Sequence, residues 1–447
     1  MPKFLADTAV VIGAGIGGLT AAAALAEFFS RVVVLERDEL PVKPAHRRSL
    51  PHGRHLHALL GGGLRALEEL LPGFGDDLAA VGAVRVESNE VRVERPGFDP
   101  FPQRDLGQHL YALSRPLFES ELRRRVSLFS NVTFRSRCRA REILGSATAG
   151  CAQGVRFENQ DNKLETLTAD LVVDATGRGA MTLAFLKTIG YPLPTESRIG
   201  IDLSYVSATF VVPETAPSDW KALQLFADPR GSGLGGVIAP IEGGRWILTV
   251  SAMHGGKPPR DHEGFLHYVR QLRTPTMYNA IRNAELIGDI ERFAFPENVR
   301  RHFERLESFP RGLLPMADAA CRFNPKYGQG MSVAAAEALS LRQQLALLAD
   351  QDDALARLAS AYFAAATPIV DMAWGLASLD FAYPQTRGTR PEGLDDALKF
   401  LSALIRLAAR DPEVHKLMNE VQQLMRPSSV YREPALLRQI AAEMASI

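Results

Sequence analysis

The sequence predicts an α/β protein, with a parallel-sheet domain interleaved along the chain with a second, strand-rich region and followed by helices. Three observations predict it. A strand, a glycine-rich turn and a helix follow one another from residue 8. Alternating, strand-like stretches fill the middle of the chain, and nearly everything after Val333 is helical in character.

The first unit is the most complete. Thr8 to Ile12 is a short apolar, β-branched run that suits a buried strand. Gly13, Gly15 and Gly18 follow in G-x-G-x-x-G register, and Leu19 to Phe29 is rich in the helix formers Ala and Leu. A second strand, R-V-V-V-L-E, ends on Glu36. This is the order of a Rossmann-type dinucleotide fold. Gly13 permits a tight turn, Gly15 lets backbone approach a pyrophosphate, and Gly18 lets the helix lie close on the strand. The helix N-terminus favours the phosphates. Glu36 is expected to accept from the ribose hydroxyls of an adenosine, and an acid there disfavours a 2′-phosphate. The motif alone does not separate NAD from FAD.

Beyond it, a basic, His-rich loop runs from Arg47 to Leu60, and a helix is expected over Gly62 to Leu71, stopping at Pro72-Gly73. Val84 to Val93 alternates and predicts paired strands about Ser88-Asn89. Ser114 reads as the N-cap of a helix reaching Leu128, with Pro116 early in it and Arg115 at its mouth. Leu171 to Val173 is another apolar strand, Gly200 to Val212 alternates, and Gly235 to Met253 reads as a hairpin turning at Glu242-Gly243-Gly244. The C-terminal helices break at Tyr383 to Gly393, and the amphipathic stretch Leu398 to Leu407 suits either a cap over a pocket or a dimer face.

Composition narrows the function classes. Lys plus Arg (51) equals Asp plus Glu (51), so bulk charge argues for neither nucleic acid nor an acidic membrane. Three widely spaced cysteines fit a reducing cytoplasm better than a disulfide framework. No apolar run approaches the roughly 20 residues of a membrane span, and the N-terminus lacks a signal peptide's apolar core. The expectation is a soluble, cytoplasmic protein with no integral membrane segment and no nucleic-acid partner.

A second glycine-rich stretch, R-F-N-P-K-Y-G-Q-G-M at Arg322 to Met331, precedes the helix S-V-A-A-A-E-A-L. The order of G-x-G-x-x-G, then A-T-G at Ala175, then A-D-A-A…N-P…G-Q-G-M resembles the flavin-dependent monooxygenases of the p-hydroxybenzoate hydroxylase superfamily over residues 8 to 345. P-H-G-R-H-L-H near residue 51, D-A-T-G-R-G at 174, P-I-E-G-G-R-W-I-L-T-V-S at 240 and D-F-A-Y-P at 380 point to its polyether-pathway polyene epoxidases.

The resemblance implies an FAD-binding domain of the glutathione-reductase type, made of residues 1–80, 110–190 and 295–345. A substrate-binding sheet domain would take 81–109 and 191–294, and a helical region 346–447. It implies cofactor contacts from Gly13, Gly15, Gly18, Glu36, Arg37, Arg48, Arg115, Asp318, Pro325, Gly328, Gln329, Gly330 and Met331. The last four would bring backbone amides to the flavin ring, where a helix start stabilises the negative charge of the reduced form. The implied reaction inserts one atom of O2 into an apolar alkene or aromatic substrate through a flavin C4a-hydroperoxide, with NAD(P)H or a separate flavin reductase as electron source.

Three departures carry weight. Ala317-Asp318 stands where the family usually has Gly-Asp. Asp174-Ala175-Thr176-Gly177 replaces the Asp-Gly motif tied to both FAD and NAD(P)H, which argues against direct nicotinamide binding. The W-x-W-x-I-P signature of flavin halogenases is absent, which argues against halogenation.

Leu203, Tyr205, Val237, Ile238 and Trp246 are candidates for an apolar substrate pocket, with a core role equally open to each. No catalytic acid or base stands out. Three imidazoles on a short loop, without carboxylate or Cys partners, make a poor metal site, and no metal is expected. The loop then either lies along the cofactor or is solvated. The rival functions are a reductase of the geranylgeranyl reductase type, and a flavin-binding protein without turnover.

Overall fold

A computed structural model describes residues 4–446. Its first layer is a five-stranded parallel sheet in the order Leu313–Pro315, Leu171–Asp174, Ala6–Ile12, Phe29–Leu35, Val132–Arg135. The strands read as unbroken apolar runs because both faces are covered. Ala9, Val11, Val32 and Val34 pack with the helices Ile16–Leu25, Arg115–Val126 and Gly330–Leu348 on one face. Val10, Ile12, Val33 and Leu35 pack on the other against the meander Arg139–Ser146, Cys151–Glu158, Leu164–Thr168. Sequence alone does not expose that meander: strands such as R-A-R-E-I-L-G-S bury little beyond Ile143, leaving no apolar pattern to read.

The second layer is a seven-stranded sheet in the order Cys321–Arg322, Leu286–Arg301, Glu196–Val211, Arg245–Ala252, Leu234–Ile241, Ala222–Leu225, Val91–Glu94. The expected hairpin is present, with its turn at Glu242 to Gly244. One face buries Val206, Leu248 and Ile238 under the helices His262–Arg270 and Thr276–Ile281. The strand Leu286–Arg301 runs unbroken through residues 294 and 295, so a division placed there cuts one strand.

The paired strands expected within Val84 to Val93 are corrected. Ser88–Glu90 forms a 3₁₀ turn, and the flanking strands join different sheets. Val84–Glu87 pairs antiparallel with His109–Ala112, whereas Val91–Glu94 pairs parallel with Ala222–Leu225. Local alternation sets which face a residue takes, but not its partner strand.

The helix Gly61–Leu70 lies within a residue of its predicted span, and Ser114 caps Arg115–Val126, its side chain accepting from Leu117 N at 3.3 Å. The C-terminal part comprises Ala354–Ser378, Leu394–Arg410, Pro412–Gln422 and Pro434–Met444. Leu398, Leu401 and Ile405 are among the residues lining the cavity that both sheets border. Among the described residues no helix is long and apolar enough to cross a membrane.

Candidate active site

The glycine turn divides into two kinds of glycine. Gly13 has φ 103°, and a Cβ there would meet Ala175 O at 2.8 Å. A Cβ on Gly18 would lie 1.8 Å from Gly13 O, so this glycine serves the contact of helix on strand. Gly15 is different. Its φ of −77° suits any residue and nothing stands within 4 Å of a Cβ, so its bare face borders open space at the helix start.

Glu36 lines the same space but is largely engaged by the protein. Its carboxylate accepts from Ala14 N at 2.8 Å and Asp38 N at 2.9 Å, with Arg47 Nη1 2.9 Å away. Arg47 also lies 2.7 Å from Glu119, which stands 3.7 Å from Arg115. Arg47, and not the expected Arg48, is the arginine that faces this space. Arg48 is exposed and outside the cavity, while its neighbour turns inward into this buried ion chain; a loop has no periodicity from which to phase the two. Arg37 stands exposed at the cavity's edge, and Arg115 is buried in its wall.

At the other end, Asn324 caps the 3₁₀ turn Pro325–Tyr327, accepting from Lys326 N at 3.0 Å. Gly328 leaves the turn at φ 67°, its amide donating to Pro325 O at 3.0 Å. That amide is therefore spent inside the turn. The amides of Gly330 and Met331, at the start of Gly330–Leu348, have no acceptor among the described residues, as expected of a first helical turn. Gln329 is buried, and neither of its side-chain amide atoms has a partner among the described residues.

Asp380, buried in the D-F-A-Y-P segment, ties this loop down. It accepts from Lys326 Nζ at 2.8 Å, Tyr327 Oη at 2.9 Å and Asn324 Nδ2 at 3.0 Å. The sequence singled out that segment without a role for its acid, because the partners lie more than fifty residues upstream.

Asp318 lines the cavity, and burial lifts its carboxyl to about 6 against the pull of Arg322 and Arg115. Ala317 before it takes φ 52°, the conformation for which glycine is usual, and its amide donates to the buried Glu337 at 2.9 Å. A Cβ on Gly17 would come within 2.7 Å of the Ala317 methyl. The alanine in this turn and the glycine opposite therefore go together.

The wall between the two ends comes from the histidine loop. His52, His55 and His57 line the cavity with Tyr205 and Phe293. Burial lowers His52 and His55 to about 4 and pushes His57 well down, so all three are neutral at pH 7. Thr249 Oγ1 accepts from Leu56 N at 3.1 Å and lies 2.6 Å from Ser207 Oγ, itself 2.7 Å from His55 Nδ1. With Thr249 donating to Ser207 and Ser207 to Nδ1, every bond is made and His55 keeps its hydrogen on Nε2. That nitrogen and Tyr205 Oη are both buried without a partner among the described residues.

Of the substrate candidates, Tyr205 and Val237 line the cavity and three do not. Ile238 is next to Val237 on one strand and so faces the opposite side, in the core with Trp246, which stacks on Trp220 at 5.8 Å. Leu203 is packed with Ile201, Phe295 and Phe381.

One continuous cavity of about 2180 Å³ runs from Gly13, Gly15 and Glu36 past the three histidines, Tyr205 and Val237 to Asp318, Gly330 and Met331, while Gly18 and Gln329 lie outside its lining. A nucleotide cradle opening into an apolar chamber defines the class, and solved structures share its fold. Flavin-dependent brominase Bmp2 matches with a TM-score of 0.69 at 16% identity, covering 99% of each chain. p-Nitrophenol 4-monooxygenase PnpA from Pseudomonas putida DLL-E4 matches at 0.65 and 16%, covering 94% of this chain and 99% of that one. The fold is thus that of the flavin-dependent monooxygenases, and residues 11–63 match the NAD(P)-binding Rossmann-like domain family. Protein Rv3254 of Mycobacterium tuberculosis (strain ATCC 25618 / H37Rv) is 35% identical over 351 residues, 76% of this chain and 73% of its own length, and the chain belongs to its family. Squalene monooxygenase 1,1 of Brassica napus is 24% identical over 77% of the chain, which spans 64% of that plant protein.

Proposed function

We propose that the protein is an FAD-dependent monooxygenase acting on an alkene or electron-rich ring of a largely apolar substrate, epoxidation foremost. One atom of O2 enters the substrate. The other leaves as water, with two electrons from NAD(P)H or a separate flavin reductase. The observation that carries the reading is the single cavity joining the bare helix start at Gly15 to the open amides at Gly330 and Met331.

The residues present fit FAD. Gly13 and Gly15 would hold its pyrophosphate, Gly18 letting the helix lie close on the strand behind them, with Glu36 and Arg37 toward the adenosine, and Arg115 and Asp318 along the middle. Pro325, Gly328, Gln329, Gly330 and Met331 would lie against its ring. Bound and reduced, FAD supplies the two-electron activation of O2. The protein's own part is to position and to exclude water. The Gly330 and Met331 amides would stabilise negative charge at the ring. The neutral histidines, Tyr205 and Phe293 would keep this part of the wall free of fixed charge.

Two findings support the finer points. Asp174 is buried and saturated, accepting from the amide and hydroxyl of both Thr176 and Thr182, with no lone pair left for a nicotinamide. That favours a separate electron donor. A squalene monooxygenase among the relatives favours an apolar alkene. Closeness to the polyether-pathway epoxidases remains part of the proposal and rests on the sequence blocks alone.

The test is incubation with ¹⁸O2, a reductant and candidate polyenes or aromatics, with products read by mass spectrometry. A labelled epoxide or phenol is expected. An unlabelled product, or a saturated one formed anaerobically, would overturn the reading in favour of a reductase.

A further inference from the structure

The far end of the chamber holds a charge the proposed chemistry does not use. Arg95 follows the strand Val91–Glu94 and is buried in the cavity lining. Its backbone is pinned by two hydrogen bonds with Phe98, Arg95 N to Phe98 O at 3.0 Å and Phe98 N to Arg95 O at 2.8 Å. Its guanidinium is held between two aromatic rings, 4.9 Å from the centroid of Phe101 and 4.5 Å from that of Phe226. It makes no ion pair among the described residues, and its Nε is buried without an acceptor.

The acids nearby are committed elsewhere. Glu94, adjacent in sequence, points to the other face and accepts from Arg92 at 2.8 Å, Thr276 at 2.7 Å, and Thr274. Asp99 is paired with Arg273, and Glu443, also in the lining, with Arg410. His415 packs edge-on against Phe101 at 4.9 Å, and burial, Arg104 and Arg95 pull it down to about 4, so it is neutral. Burial lowers Arg95 itself to about 10, which leaves it a cation at neutral pH. A buried cation without a counter-charge is costly unless a ligand supplies one.

The sheet sets the distance from this cation to the other end. Ser207, Thr249, Val237, Gln224 and Val93 sit opposite one another on successive strands, forming one row across the sheet. Thr249, Val237, Gln224 and Val93 line the cavity, and Ser207 at the first end contacts His55. Arg95 lies two residues beyond Val93, on the same side of its strand. Four strand spacings make the row roughly 19 Å long.

We propose that the substrate is an elongated, largely apolar acid whose carboxylate pairs with Arg95 while its body lies along this row toward His55 and Tyr205. The planar guanidinium matches a carboxylate by two parallel hydrogen bonds. Val237, Val93, Leu401 and Ile405, all in the lining, supply apolar contact. Arg95 is on this view a specificity residue, far from the reacting atoms. The proposal rests on reading the cavity as the substrate chamber, and it concerns binding only.

The test uses the purified protein saturated with FAD, without reductant, titrated calorimetrically with retinoic acid and with retinol. The two probes share a polyene body and differ in the charged head. Wild type is expected to bind the acid about 10- to 100-fold more tightly, as a charge-assisted hydrogen-bonded pair provides. Arg95→Gln should abolish the preference with retinol binding unchanged, and Arg95→Lys should keep part of it. Equal binding of the two probes by wild type, binding of neither, or a preference that survives Arg95→Gln overturns the proposal. The wild-type comparison needs no variant, so a variant that fails to fold does not weaken the test. Failure of ¹⁸O insertion would leave the head-group preference intact, and loss of the preference would leave oxygen insertion intact.

Discussion

A side chain added at Gly15 and one added at Gly18 should damage the protein in opposite ways, though the two glycines share one motif. In Gly18→Ala the new Cβ falls 1.8 Å from Gly13 O, where ordinary contact begins at 3.4 Å, so helix Ile16–Leu25 must retreat by about 1.6 Å from its strand. The obstacle is backbone, which cannot turn aside, and the cost should reach the upper part of the roughly 1–3 kcal/mol range for overpacking. In Gly15→Val nothing stands within 4 Å and φ is −77°, so the penalty is that of a poorer N-cap, about 1 kcal/mol or less. What Gly15→Val should lose is the ligand. FAD at a hundred times its Kd stabilises a folded protein by about 2.7 kcal/mol, and a hundredfold weaker variant keeps only about 0.4 kcal/mol of that. The assay is thermal melting of flavin-free wild type, Gly15→Val and Gly18→Ala, each with and without FAD. Gly18→Ala should melt well below wild type without ligand. Gly15→Val should melt near it and gain almost nothing from FAD. A Gly15→Val protein with the full FAD shift would refute the assignment of the cradle, and a Gly18→Ala protein as stable as wild type would refute the packing argument.

Asp380→Asn leaves the Lys326 ammonium and Tyr327 hydroxyl without their carboxylate, and should lower stability by about 3–5 kcal/mol; an unchanged denaturant midpoint would remove the ion pair from the account. Gly330→Pro deletes an amide that would face the flavin ring, and it also strains the helix start, because Gln329 before it is αR (φ −81°, ψ −33°), a conformation proline disfavours in its predecessor. It should lower the melting temperature and lose about 2.7–4 kcal/mol of transition-state stabilisation, and unchanged turnover and flavin potential would count against that amide. Glu337, pushed up to about 8 by burial, keeps its proton in the folded chain while the unfolded chain releases it near 4.5. The folded state thus binds more protons in that window, and its contribution to stability falls as pH rises, by up to about 1.4 kcal/mol per unit. Glu337→Gln should flatten the slope between pH 5 and 8, and parallel melting profiles for the two proteins would exclude it. Gly17→Ala should destabilise through its 2.7 Å approach to the Ala317 methyl, and adding Ala317→Gly should recover most of the loss; a double variant no better than Gly17→Ala would disprove the coupling.

The sequence by itself determined the parts of this protein that are written in contiguous residues. The run Thr8 to Ile12, the glycines at 13, 15 and 18, and the second strand ending at Glu36 specify their unit because strand burial, backbone conformation and helix start are all local properties. Ser114 and Pro116 specify a helix start for the same reason, and the bend at Asn324 to Gly330 announced itself through Pro and Gly. Only the tertiary structure decided what depends on partners distant in the chain. It turned Arg47 inward rather than Arg48, and it paired Val91–Glu94 with Ala222–Leu225 rather than with its neighbour. It also brought Asp380 under Lys326, and left Arg95 between two phenylalanines without an acid. Periodicity tells which face a residue occupies, but the partner across that face is set by how the layers pack. The state of a buried charge depends wholly on that partner, so the charged features of the chamber became visible only once the two sheets were in place.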